Sequence, residues 1–139
     1  MELRDELTSE LLHFYNGFAS WESSVIRSSD LTVSEAHAIE VLGQHEQMNM
    51  KNLARKLGVT TGTVTVTVDR LEKKEYARRG STREDRRVYL ISLTERGQQA
   101  FAEHHQYHLR LTEHLLASLP EDEAAQLLKI LQKINGEGF

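Results

Sequence analysis

Glu103, His104, His105 and His108 crowd one short stretch of this chain, and His37 stands apart from them. His104 and His108 are four residues apart, so on a helix they share a face and can hold one divalent ion between two imidazoles. Histidines spaced this way also serve as plain polar surface, and both readings stand. The other concentration of chemistry is cationic. Residues 51–96 hold twelve Lys/Arg against six Asp/Glu, a net of about +6, while the remainder holds five against fifteen, about −10. The overall −4 hides two regions of opposite sign. The basic one suits a polyanion, and the acidic one is free to solvate the exterior.

Other chemistries are poorly provided for. Cysteine is absent, which removes disulfides, thiol redox sensing and thiolate metal sites. No Gly-rich phosphate loop is present, and no Ser or carboxylate pair stands in a recognisable catalytic setting, so an enzyme is not expected. No apolar run approaches the ~18 residues of a membrane span, and no basic-then-apolar leader opens the chain. The expectation is a cytoplasmic protein that requires no cofactor and does not engage membranes. At 139 residues, 39% hydrophobic and 27% charged, the chain is long enough for one domain with a buried core.

The basic region must be positioned by the elements around it. Residues 51–57 carry Leu53, Ala54 and Leu57 at helical spacing, and Gly58 can supply the positive φ of a tight turn. Residues 60–74 are ambiguous. Thr63 to Val68 alternates β-branched residues, which locally favours a strand. Val64, Val68 and Leu71 nevertheless share one helical face, and the stretch follows a helix and a glycine turn, so a helix is predicted. Gly62, Thr63, Val66, Arg70 and Lys73 then fall outward, where Val66 suits a thymine methyl or is simply an exposed valine. Residues 76–80 and 88–93 read as two strands joined by a charged loop over 81–87. This is a helix-turn-helix carrying a wing, a shape that places one helix in a DNA major groove. Arg78, Arg79, Arg83 and Arg86 suit phosphate contacts, as do Lys51, Arg55 and Lys73. An arginine at the hairpin tip can reach a narrow minor groove.

The flanks are helical. Leu3, Leu7, Leu11, Phe14, Phe18, Trp21 and Val25 recur at spacings of three and four over residues 3–28. Thr32 and Glu35 form a capping box for a helix that turns Ala38, Ile39 and Leu42 inward and stops near Gly43. Residues 47–50 form a short extended link, a minor strand of the wing sheet. Thr94 caps a long helix over 95–119. Pro120 opens a last helix, with Glu121, Asp122 and Glu123 in its first turn, where the helix dipole favours anions. The fold expected is mostly α with a small β-wing. It is one domain over 1–139, with residues 31–94 as the winged lobe and residues 1–30 and 95–139 as dimerisation helices. The terminal helices offer more apolar surface than one small core covers, which points to a homodimer.

With these elements placed, the chain resembles MarR-family transcriptional regulators along essentially its whole length. The resemblance rests on three stretches: Leu53-Ala54-Arg55-Lys56-Leu57-Gly58-Val59; Gly62-Thr63-Val64-Thr65; and Asp85-Arg86-Arg87 followed by Leu90-Ile91-Ser92-Leu93-Thr94-Glu95-Arg96-Gly97. It implies a homodimer holding two winged heads over double-stranded, pseudo-palindromic operator DNA. It also implies that Thr61, Thr63, Thr65 and Val66 lie in the major groove, that Arg87 enters the minor groove, and that Asp85 orients it.

For the effector, local runs resemble the MarR-type repressors of fatty-acid synthesis genes: Ser34 to Gly43, Thr61 to Thr65, and Arg83 to Val88. That implies a long acyl chain, delivered on acyl carrier protein as co-repressor, in a tunnel lined by Phe14, Phe18, Trp21, His37, Ile39 and Phe101. Zinc-sensing members are similar at His37, Glu103, His104 and His108, although Ala36 stands where an acidic ligand is expected. A small phenolic ligand is the third reading.

Overall fold

The chain in order begins with α1 (Leu3–Ile26), whose three-and-four spacing produces one apolar stripe. The computed structural model describes residues 2–81, 84 and 88–138. They fall into two units, one ending at Ala102 and one beginning at Glu103. In the first unit α1 buries Ile26 at its C-terminus, while Leu3, Leu7, Leu11 and Phe14 remain exposed, from 52% to 74%.

α2 (Val33–Gly43) starts with the expected capping box: the Thr32 side chain accepts from Glu35 N–H, and the Glu35 side chain accepts from Thr32 N–H, both at 3.2 Å. Ala38, Ile39 and Leu42 face inward. Its last residue, Gly43, lies against the Phe101 ring, where an added Cβ would come within 2.1 Å of Cδ1.

β1 (Met48–Asn49) is the minor strand expected of residues 47–50. Asn49 also caps α3 (Met50–Leu57), which ends at Gly58 with φ +68. The Thr/Val repeat forms α4 (Thr61–Lys73), not a strand. Val64, Val68 and Leu71 are fully buried, so packing of one helical face outweighs β-branched propensity. The hairpin follows as β2 (Ala77–Ser81) and β3 (Tyr89–Leu93), antiparallel, with Arg79 opposite Ile91 and Ala77 opposite Leu93. β3 is central, pairing with β1 through Met48 and Ile91 in the order β1-β3-β2. The core of this unit joins α2, α3, α4 and the sheet through Ile39, Leu42, Leu53, Val64, Val68, Leu71 and Ile91.

α5 (Glu95–Leu116) contributes its first two turns to this unit and the rest to the second. Thr94 caps it, its hydroxyl accepting from Gly97 N–H at 3.1 Å. The helix ends at Leu116, three residues short of the expected boundary, with Ala117 N–H still donating to Glu113 O at 3.0 Å; Leu119, before Pro120, is disfavoured in the α region. α6 (Glu121–Gly138) then carries Leu127, Leu128, Ile130, Leu131 and Ile134, all exposed.

Candidate nucleic-acid interface

The N-terminus of α4 is built for presentation. Gly58 turns the chain out of α3, and Thr60 caps α4 by accepting from Thr63 N–H at 3.1 Å. The Thr60 hydroxyl also donates to Thr63 Oγ1 at 3.0 Å, so both side chains are held. With Val64, Val68 and Leu71 inward, Thr61, Gly62, Thr63, Val66, Arg70 and Lys73 are exposed. Val66 is 49% exposed on a helix with an otherwise well-buried apolar face. Thr65 is half-buried, and its hydroxyl donates to the Thr61 carbonyl at 2.7 Å. Its methyl and oxygen lone pairs remain to meet a partner.

The cations expected at phosphates differ in their surroundings. Lys51, Lys73 and Arg78 are exposed. Arg55 is exposed and donates to Asn52 Oδ1 at 3.2 Å. Beside it opens a groove of about 470 Å³ lined by His45, Gln47, Met48, Asn49, Asn52, Arg55, Lys56 and Leu90. Among the described residues no carboxylate lines that groove, which suits a phosphate backbone.

Arg79 has different surroundings from these cations. It is largely buried and lies against α4, its Nε donating to Glu72 Oε1 at 2.6 Å and its Nη2 to Asp69 Oδ1. Burial works against its charge, but the hydrogen bonds it donates to the two carboxylates outweigh this and raise its pKa. Neighbouring residues of a strand point to opposite faces, so Arg78 is out while Arg79 is in. Arg83, Asp85, Arg86 and Arg87 lie outside the described residues.

The residues expected around an effector are placed as follows. Phe14, Phe18 and Trp21 form a row along α1, with ring centroids 6.2 Å and 5.6 Å apart. His37 Nε2 lies 2.5 Å from Glu22 Oε1, joining α2 to α1. Ile39 is 2% exposed within the core of the winged unit. Phe101 is half-buried and packs on that core. In the second unit the His104 and His108 rings meet edge to face at 4.7 Å, and Glu103 is exposed.

A polar joint also emerges that local spacing did not reveal. Tyr76 donates to Asp30 Oδ1 at 2.5 Å, and Arg96 donates to the Tyr76 oxygen at 3.1 Å and to Asp30 Oδ2 at 3.3 Å. The Arg96 guanidinium lies 4.3 Å from the Tyr76 ring centroid. Lys74 donates to the Asp30 carbonyl and, at 2.7 Å, to Glu35 Oε2. The segment after α1, the start of α2, the end of α4 and the start of α5 are thus pinned together. Glu35 is only 1% exposed, so Lys74 supplies the opposite charge that its burial requires.

Comparison with known proteins places this geometry. The sequence model of the MarR family matches residues 31–89, from just before α2 to the first residue of β3. YwaE, an uncharacterized HTH-type transcriptional regulator of Bacillus subtilis, is 31% identical over 133 residues, covering 95% of this chain and 69% of YwaE. The HTH-type transcriptional regulator SarZ of Staphylococcus haemolyticus is 36% identical over 72 residues, 52% of this chain; the matched stretch spans about half of SarZ, 49%. Among solved structures, Streptococcus pneumoniae FabT in complex with DNA superposes with a TM-score of 0.88 at 28% identity, covering 96% of this chain and 95% of FabT. No described helix is long and apolar enough to cross a membrane. A family match seated on the helix-turn-helix and its hairpin, and a relative aligned along nearly the whole chain, lead to one conclusion: the chain belongs to the MarR family of winged-helix transcriptional regulators.

Proposed function

We propose that the chain is a homodimeric repressor whose two α4 helices read the half-sites of a pseudo-palindromic operator. The observation that carries this is the capped, solvent-facing surface of α4, where Thr61, Gly62, Thr63, Val66 and Arg70 stand exposed above a fully buried opposite face. The likeness to FabT, solved in complex with DNA, supports it. Lys51, Arg55, Lys73 and Arg78 contact phosphates, and Arg87, oriented by Asp85 and flanked by Arg83 and Arg86, enters the minor groove. The exposed apolar stripes of α1 and α6 meet a second copy.

The effector is a long acyl chain carried on acyl carrier protein, acting as co-repressor at genes of fatty-acid synthesis. The aromatic row Phe14, Phe18 and Trp21 and the similarity to FabT support this choice. An effector shifts the equilibrium only by its preference for one state, so an acyl chain that favours the DNA-competent dimer tightens operator binding. By linkage, operator DNA tightens acyl binding equally. The contact between His104 and His108 favours a second reading, in which zinc replaces the acyl chain as effector.

Fluorescence anisotropy on a duplex enriched by the chain from a random pool tests both levels. Affinity should fall steeply with salt, and palmitoyl-acyl carrier protein should strengthen it. Absence of duplex binding at low salt refutes the regulator. A response to zinc and chelator, with none to the acylated carrier, transfers the effector site to the histidines.

A further inference from the structure

Arg79 joins two parts of the proposed reading head. It projects from β2, donates to Glu72 and Asp69 on α4, and its guanidinium lies 5.9 Å from the Tyr89 ring centroid on β3. One side chain therefore touches the recognition helix and both strands of the hairpin. Its side chain is 22% exposed, against 54% for Asp69, so the guanidinium is inside the contact and the carboxylate is at its edge.

We infer that Arg79 is a positioning residue for sequence discrimination: its fork fixes the hairpin against α4, and it does not itself bind phosphate. The inference rests on the proposed reading of α4 as the recognition helix. Only a planar fork can satisfy Glu72 through Nε and Asp69 through Nη2 together; a lysine has one ammonium on a flexible stem. Asp69 and Glu72 need that bridge, because two carboxylates on a helix facing a polyanion are otherwise repelled by it. Specific binding requires helix and hairpin to engage at a fixed separation, whereas loose electrostatic binding does not.

The test uses the full chain, the enriched duplex, and a random-sequence duplex of equal length. The readout is the ratio of the two affinities in each variant. Arg79→Lys keeps the charge and removes the fork. The ratio should fall about tenfold, with affinity for the random duplex within about twofold of wild type. Asp69→Asn combined with Glu72→Gln breaks the same bridge from the other side while removing negative charge. Here the random duplex should bind more tightly while the ratio still falls. Partial unfolding lowers both affinities by the same fraction and leaves the ratio unchanged, so it cannot imitate this result.

If Arg79 contacted phosphate, Arg79→Lys would keep the wild-type ratio, and Arg79→Ala would weaken both duplexes equally and lower the salt slope by about one. Either result overturns the inference while leaving the regulator intact. A wild-type chain that ignores both duplexes overturns the regulator, and this inference with it.

Discussion

Tyr76 donates its phenolic hydrogen to Asp30 at 2.5 Å, across 46 positions of sequence. The bond ties the residue that enters the hairpin to the segment leaving α1. The hydrogen bond from Tyr76 is the strongest influence on Asp30; it outweighs partial burial and, with the charges of Arg96 and Lys74, holds the carboxyl below its ordinary value. Burial, reinforced by the bond to Asp30, pushes the Tyr76 hydroxyl above its ordinary value. A depressed folded pKa gives stability that is present above the unfolded value, near ~4, and lost as pH falls through the folded one. A raised folded pKa gives stability that is present below ~10 and lost as pH rises through the folded one. Tyr76→Phe should therefore cost about 1 kcal/mol between these limits, a figure kept low because the Asp30 side chain is half exposed. In denaturant melts the gap between wild type and variant should narrow below pH 4 and above pH 10. An equal gap at pH 3 and pH 7 would show that the bond does not couple to Asp30 ionisation.

The same junction leaves no room at Gly97. A Cβ there would lie 2.0 Å from the Tyr76 carbonyl oxygen and 3.0 Å from Leu93 Cβ, and the first of these is backbone that a rotamer change cannot move. Gly97→Ala should destabilise by about 3 kcal/mol or more, since α5 must shift away from the sheet. Gly80→Ala is the control, because nothing lies within 4 Å of its added Cβ. Thermal melts should show a large drop for the first and little change for the second. Similar curves would mean that α5 is not seated against Tyr76.

α3 and α4 close in the same hydrogen-bonded motif with different residues at its left-handed position. After α3, Gly58 at φ +68 is followed by Val59 N–H donating to Ala54 O at 3.0 Å. After α4, Glu75 at φ +66 donates to Glu72 O at 3.0 Å, and Tyr76 N–H donates to Leu71 O at 2.8 Å. A residue with a Cβ is disfavoured in that region by ~1–2 kcal/mol. Glu75→Gly should raise stability by about 0.5–1 kcal/mol, less than the full relief because glycine also loosens the unfolded chain. The Thr94 hydroxyl bond to the Glu75 carbonyl, 2.6 Å, uses backbone and survives the change. A lower denaturation midpoint for Glu75→Gly would locate the importance of this position in its carboxylate.

These contrasts show which signals a sequence carries. The Thr32–Glu35 capping box, Gly58 and the buried face of α4 were legible because each is written within a few residues. Even the misleading Thr/Val alternation was resolved by Val64, Val68 and Leu71. The joint among Asp30, Glu35, Lys74, Tyr76 and Arg96 was not legible, since its partners are up to 66 residues apart and each is an ordinary charged or aromatic residue alone. The surroundings of Arg79 are hidden for another reason. Beside Arg78 in a basic run it reads as one more surface cation, and only the pleat of β2 turns it onto Asp69 and Glu72. The end of α5 is blurred in the sequence, because Ala117 and Ser118 carry no strong stop signal before Pro120.

The terminal helices carry the last expectation. On α6, Leu127, Ile130, Leu131 and Ile134 share one stripe at spacings of three and four, and each is between 38% and 54% exposed. On α1 the exposed members Leu3, Leu7, Leu11 and Phe14 do the same. Exposed stripes of this length are the kind of surface that a second copy covers, and a charge placed in one is left unpaired and desolvated on association. Leu131→Glu should therefore shift the chain from dimer to monomer in sedimentation at micromolar concentration while the fold of residues 31–94, followed by amide hydrogen-exchange protection of the buried face of α4, is retained. Operator affinity should fall much further than affinity for a single half-site, because two heads linked through a dimer gain from effective concentration and one head does not. A variant that stays dimeric, or a wild-type chain that is monomeric while binding a full operator tightly, would place the contact between heads somewhere other than on these helices.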